Sequence, residues 1–128
     1  MPVLCDFTVI QDGTVTIGDN GPALKKNFNT GGRHNSQALL MLNVKGLNDG
    51  FATVKINGTF VKAIQPNTNG DNTSWFSQHM VLPSHLLSPS SSNQNQIEIG
   101  RVTEDDNVAG NFDDFSVRDV VIFFHQSA

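Results

Sequence analysis

The chain has no tyrosine, one tryptophan (Trp75) and one cysteine (Cys5). A lone cysteine cannot form an intrachain disulfide, which excludes the disulfide-rich secreted class. Within Val3-Leu4-Cys5-Asp6-Phe7, Cys5 reads as a small apolar residue buried in a first strand. Charge is also scarce: charged residues make up 16%, with eight Lys and Arg against twelve Asp and Glu, a formal net charge of -4. The longest basic cluster is the Lys25-Lys26 pair, so the electrostatic footprint that nucleic acid requires is missing. No apolar run approaches the roughly 18 residues of a membrane span. Met1-Pro2-Val3 does not open the charged and apolar regions of a signal peptide. The expectation is a soluble chain, cytoplasmic or exported as part of a larger protein.

Catalytic signatures are missing as well. His34, His79, His85 and His125 show no zinc spacing, and there is no Gly-x-Ser-x-Gly elbow. Thr30-Gly31-Gly32-Arg33-His34 is glycine-rich but lacks the Lys-Ser/Thr and the helix of a phosphate loop. Glu104, Asp105, Asp106, Asp113 and Asp114 place five carboxylates within eleven residues. Adjacent carboxylates on an extended segment point to opposite faces, whereas glycoside hydrolysis needs a pair facing each other across a cleft. The chain reads as no enzyme; Glu104, Asp106 or Asp114 converging on a pocket would reverse that.

What is present is β-sheet punctuation. In Val54-Lys55-Ile56-Asn57-Gly58-Thr59-Phe60-Val61, Asn-Gly between β-branched runs predicts a hairpin with a type I′ turn. Ile56 should pair with Thr59 and Val54 with Val61, with Val54, Ile56 and Val61 facing the core. Lys55, Phe60 and Lys62 then share the other face. Including this hairpin, strands are expected at 4–10, 14–17, 38–44, 52–56, 59–64, 75–82, 96–102 and 116–124, separated by Gly/Asn/Asp clusters. Ala38-Leu39-Leu40-Met41-Leu42 is nearly continuous in apolar residues, as in a central strand covered on both sides. Gln96-Ile97-Glu98-Ile99 alternates, as in a strand with one solvated face. Pro83 to Leu87 reads as a single helical turn. The fold class is an all-β antiparallel sandwich, a jelly roll of about eight strands, formed by one domain over residues 1–128.

Three pieces of the second half carry a family resemblance. They are Leu82-Pro83 with Leu86-Leu87, Asn95-Gln96-Ile97-Glu98-Ile99, and Asp113-Asp114-Phe115-Ser116-Val117-Arg118-Asp119-Val120-Val121-Ile122. With the Val-x-Ile-Asn-Gly hairpin they resemble the galactose-binding-domain-like jelly roll of carbohydrate-binding modules and glycoside hydrolase accessory domains, over about 38–124. The glycine usual before the Asn-x-Ile-x-Ile strand is replaced by Ser92-Asn93-Gln94. The resemblance implies carbohydrate as ligand. It also implies a calcium ion tying the first segment to the last strand, for which Asp19 or Asn20 with Asp113 or Asp114 would be the ligands.

Two functions remain open. The first is a non-catalytic carbohydrate-binding or lectin-like module binding sugar through loops at one end of the sandwich, lined by Arg33, His34, Asp71, Asn72 and Trp75. Exposed, Trp75 could stack on a sugar ring while Asp71 and Asn72 bond its hydroxyls; buried, it is a core residue. The second is a structural or assembly subunit, such as a surface, coat or fibre protein, forming homo-oligomer contacts through sheet edges and the Phe123-Phe124 pair.

Overall fold

The computed structural model describes residues 3–18, 23–30, 36–47, 52–65, 74–88, 94–101 and 114–127. Among these the chain forms β1 (Val3–Gln11), β2 (Val15–Ile17), β3 (Leu24–Phe28), β4 (Ala38–Lys45), β5 (Ala52–Ile56), β6 (Thr59–Ile64), β7 (Phe76–Leu82), β8 (Asn95–Arg101) and β9 (Phe115–Ser127). A single 3-10 turn, Ser84–Leu86, follows β7.

The Asn57-Gly58 turn organises the rest. Both residues take positive φ (52° and 83°), the geometry a type I′ turn demands. From this fold-back point the two halves of the chain pair antiparallel in nested order: β5 with β6, β4 with β7, β3 with β8, and β1 with β9. Winding this doubled ribbon across two layers gives one sheet in the order β1-β9-β4-β7, with β2 also on β9, and a second in the order β3-β8-β5-β6. The nested pairing is that of a jelly roll. One apolar core lies between the sheets, built from Leu40, Leu42, Val44, Val54, Ile56, Ile97, Ile99, Phe115, Val117 and Ile122 among others. Leu82 and Leu87, on either side of the 3-10 turn, are buried with it.

Asn57 does more than turn the chain. Its backbone N–H donates to Gln96 O (2.9 Å), and its Oδ1 accepts from Gln96 N (2.8 Å). Its Nδ2 donates to Leu86 O (2.8 Å) and to Oδ1 of buried Asn95 (2.9 Å). The Asn95 oxygen also accepts from Ser88 N (2.7 Å). One side chain therefore satisfies backbone groups at the 3-10 turn and at the start of β8, and ties the hairpin to both.

Several expectations are corrected. β3 was not anticipated. Ile56 does pair with Thr59, but a register shift between Val54 and Lys55 puts Val54 opposite Lys62 instead of Val61. Val61 is only half-buried against the core. Cys5 is exposed, because its position on β1 points away from the second sheet. Phe124 is a core residue, so only Phe123 of that pair faces outward. β4 is central in its sheet, but it is covered on one side only. Ala38, Leu40, Leu42 and Val44 are buried, and the alternate Leu39, Met41, Asn43 and Lys45 are half-exposed.

Candidate functional site

The outer face of the β1-β9-β4-β7 sheet carries both of the structure's unusual surfaces. At one end, register brings Phe7 beside Phe123, Val9 beside Val121, and Leu39 beside both Phe123 and Val81. Phe7 is 58% exposed, Val81 54% and Val9 49%. The Phe7 and Phe123 rings tilt at 43° with centroids 6.1 Å apart. A cleft of about 510 Å³ opens here, with Leu39, Met41, Val81, Phe123, Cys5 and His125 among its lining. The His125 Nδ1 lies 3.4 Å from Ser36 Oγ. A sheet face that stays apolar has nowhere to bury itself within one sandwich.

At the other end the face turns polar, and a β-bulge is responsible. Between Met41 and Asn43 of β4 the facing strand runs from Val121 to Arg118, so β9 carries one extra residue. Asp119 takes φ 53°, a conformation Asp tolerates better than most side chains. Its N–H turns to Asp12 O at 3.3 Å. Val117 and Val120 stay buried while both Arg118 and Asp119 remain half-exposed. Asp119 Oδ2 accepts from Asn43 Nδ2 (3.0 Å) and lies 3.4 Å from Arg118 Nε. Ser77 Oγ donates to Asn43 Oδ1 (2.9 Å). The Arg118 guanidinium carbon sits 4.0 Å from the centroid of the Trp75 ring, and Lys45 Nζ sits 5.0 Å from it.

Trp75 is thus neither a core residue nor a bare platform. It is half-buried just before β7, its ring already occupied by two cations. Of the other anticipated ligand residues, Arg33, His34, Asp71 and Asn72 lie outside the described residues. So do Asp19, Asn20 and Asp113 of the calcium set, and Glu104 and Asp106. Asp114 immediately precedes β9 and packs on Gly18. Among the described residues no three His, Cys, Asp or Glu side chains group to hold a metal ion. Nor is any helix there long and apolar enough to cross a membrane.

Asn43, Lys45, Arg118 and Asp119 were not anticipated as site residues. One signal pointed to two of them: in Val117-Arg118-Asp119-Val120 two polar residues interrupt an alternating strand, the mark of a bulge beside a functional surface.

No family model matches the chain, and no curated protein matches it. Solved structures do. The crystal structure of BuGH86wt in complex with neoagarooctaose matches with TM-score 0.58 and 13% identity, over 98% of this chain and 20% of that one. Arabinose-bound MgGH51 α-L-arabinofuranosidase matches with TM-score 0.45 and 16% identity, over 94% and 22%. Infectious bursal disease virus Gt strain matches with TM-score 0.40 and 14% identity, over 95% and 36%. The chain therefore spans a fifth of the length of the first protein it resembles. That likeness is one of fold, a β-sandwich; the other two are too slight to carry an argument.

Proposed function

We propose that the chain is a non-catalytic assembly module that works by docking the open face of its five-stranded sheet against a partner surface. The observation that carries this reading is the exposure of Phe7, Val9 and Val81 around a cleft whose floor is equally apolar. With Leu39, Met41 and Phe123 these residues expose on the order of 500 Å² per copy, the size of patch that usually marks an interaction site. Area of this size does not convert directly into affinity, because the lost translational and rotational freedom, about 4–15 kcal/mol, and the ordering of interface side chains offset most of the gain. One such face is therefore marginal alone, which suits a subunit held by several contacts at once.

The decisive substitution is Phe7→Asp, at an exposed site on β1. Sedimentation velocity should show the largest assembled species of the wild-type chain disappear in this variant, with the melting temperature retained. Unchanged assembly in a folded Phe7→Asp protein would defeat the reading.

The carbohydrate reading has its own support in the Trp75, Lys45, Arg118, Asp119 and Asn43 group, which joins an aromatic ring to charged and amide groups. The match to a glycoside-bound protein and the galactose-binding-domain-like resemblance favour it as well. A glycan array, with binding lost in Trp75→Ala, would move the assignment to a lectin-like module. Because cations cover the ring, anionic sugars should then be preferred over neutral ones.

A further inference from the structure

We infer that two copies of this chain pair antiparallel through β7, joining their five-stranded sheets into one and doubling the open apolar face. The inference rests on the assembly reading above and names its first contact.

A strand at an edge exposes unpaired N–H and C=O groups, and folded proteins blunt such edges with charges, bulges or very short strands. Four of the five edge strands among the described residues are blunted in this way. β1 carries Asp6 and a register shift between Val9 and Gln11. β2 has only three residues. β3 carries Lys25 and Lys26, and β6 carries Lys62. β7 is the exception: Phe76-Ser77-Gln78-His79-Met80-Val81-Leu82 is seven residues long with no Lys, Arg, Asp, Glu, Pro or Gly. Among the described residues its only strand partner is β4. A free edge of this length and neutrality is a template for another strand.

The occupant must fit both faces of the template. Along β7, Ser77, His79 and Val81 are exposed, while Met80 and Leu82 are buried on the opposite side. An added strand must alternate in the same phase, because a one-residue slip would turn its core-facing residues to solvent. β7 of a second copy does so by construction. Full antiparallel overlap places His79 opposite His79 on a twofold axis, Ser77 opposite Val81, Gln78 opposite Met80, and Phe76 opposite Leu82. Every pair then shares a face, and no like charges of permanent sign meet across the axis.

Area supplies the reason for pairing. One open face is on the order of 500 Å², so covering it removes about 1,000 Å² in total, the lower limit for a specific interface. Val81 belongs both to β7 and to the apolar cleft, so pairing at β7 sets two clefts side by side across the new ladder. The doubled face reaches standard interface size. β6, the edge of the second sheet, packs beside β7 and exposes Phe60 at 55% on the outer face of its own sheet.

The test reads register as well as association. Ser77→Lys with Val81→Lys puts like charges directly opposite each other twice in the dimer, whereas Ser77→Lys with Val81→Glu puts opposite charges there. Sedimentation velocity at micromolar to submillimolar concentration should show a wild-type dimer. The Lys/Lys variant should dissociate, its dissociation constant raised about tenfold or more, and the Lys/Glu variant should regain the dimer. At concentrations low enough that every form is monomeric, circular dichroism melts of both variants should stay cooperative and close to the wild type, since both sites are exposed and the only described bond lost is Ser77 Oγ to Asn43 Oδ1. His79→Cys in a Cys5→Ser background should oxidise to a covalent dimer across the axis.

A wild-type chain that stays monomeric throughout would overturn the inference, as would Lys/Lys and Lys/Glu variants that associate equally. The assembly reading fails separately, through Phe7→Asp on the far side of the sheet, which leaves β7 untouched.

Discussion

Arg118 lies over Trp75, its guanidinium carbon 4.0 Å from the ring centroid, and reaches that position because Asp119 is the extra residue of a bulge in β9. The bulge sends two consecutive side chains to the outer face, where a regular strand would bury one of them. Asp119 then braces Arg118 at 3.4 Å while holding Asn43. The arrangement orients an indole without burying it.

Substituting Arg118 by Ala should uncover the ring and shift its emission to longer wavelength. Trp75 is the only tryptophan, so intrinsic fluorescence reports this site alone. Stability should fall by less than about 1 kcal/mol, because the Arg118 and Asp119 side chains are 41% and 45% exposed and surface ion pairs are weak. Asp119→Gly keeps the positive φ open and should leave emission nearer the wild type than Asp119→Val. The β-branched side chain is disfavoured there and should cost about 1–3 kcal/mol more.

Gly18, at the end of β2, takes φ 147°, and a Cβ there would lie 2.7 Å from the Asp114 backbone Cα. The obstacle is main chain, which cannot swing aside as a long side chain does. Gly18→Ala should therefore part the end of β2 from the start of β9 and cost about 2 kcal/mol or more. Thermal unfolding would show it as a drop of several degrees. Asp114→Ala should not rescue Gly18→Ala, since the Cα remains in the way.

At the hairpin, Asn57→Gly preserves the positive φ of the turn and removes only the side-chain hydrogen bonds, whereas Asn57→Ala removes those bonds and strains the turn as well. Alanine should thus be the more damaging by about 1 kcal/mol. Asn57→Asp keeps the acceptor for Gln96 N but loses the donor to Leu86 O and Asn95 Oδ1. A double-mutant cycle between Asn57→Gly and Asn95→Ala should show coupling of about 0.5–3 kcal/mol, as expected within one network. Additive losses would mean that the two residues act independently.

How far the fold could be read from the sequence depends on whether each signal is local. Asn57-Gly58 announced its own turn because turn chemistry acts on two residues. Leu24-Lys25-Lys26-Asn27-Phe28 hid β3, since only its terminal residues are buried. That strand is held by pairing with Ile97 and Ile99 of β8, far away in the chain. The register shift at Val54 is an extra residue on β6 against a β5 that pairs regularly with β8, and no local pattern records it. Leu39 and Met41 illustrate a different limit. An apolar run reads as covered on both faces, yet composition cannot distinguish a face buried within the chain from one left open for a partner. The polar end of that face was legible only as the break in alternation at Arg118-Asp119.

Cys5 gives the open face a chemical reporter. It is exposed, it lines the apolar cleft, and it is the only thiol in the chain. In dilute protein a maleimide or disulfide reagent should modify it fully without unfolding. If the open face is covered on assembly, the rate should fall as protein concentration rises, in step with the assembled fraction from sedimentation. Phe7→Asp should abolish that protection while leaving the dilute rate close to wild type, because Phe7 and Cys5 share the outer face of β1 but the thiol keeps its access to solvent. Pairing at β7 alone leaves the cleft open, so a dimer that still reacts at the dilute rate would separate the edge contact from the face contact. A rate independent of concentration across the whole assembly range would mean that the apolar face is not what the partner covers.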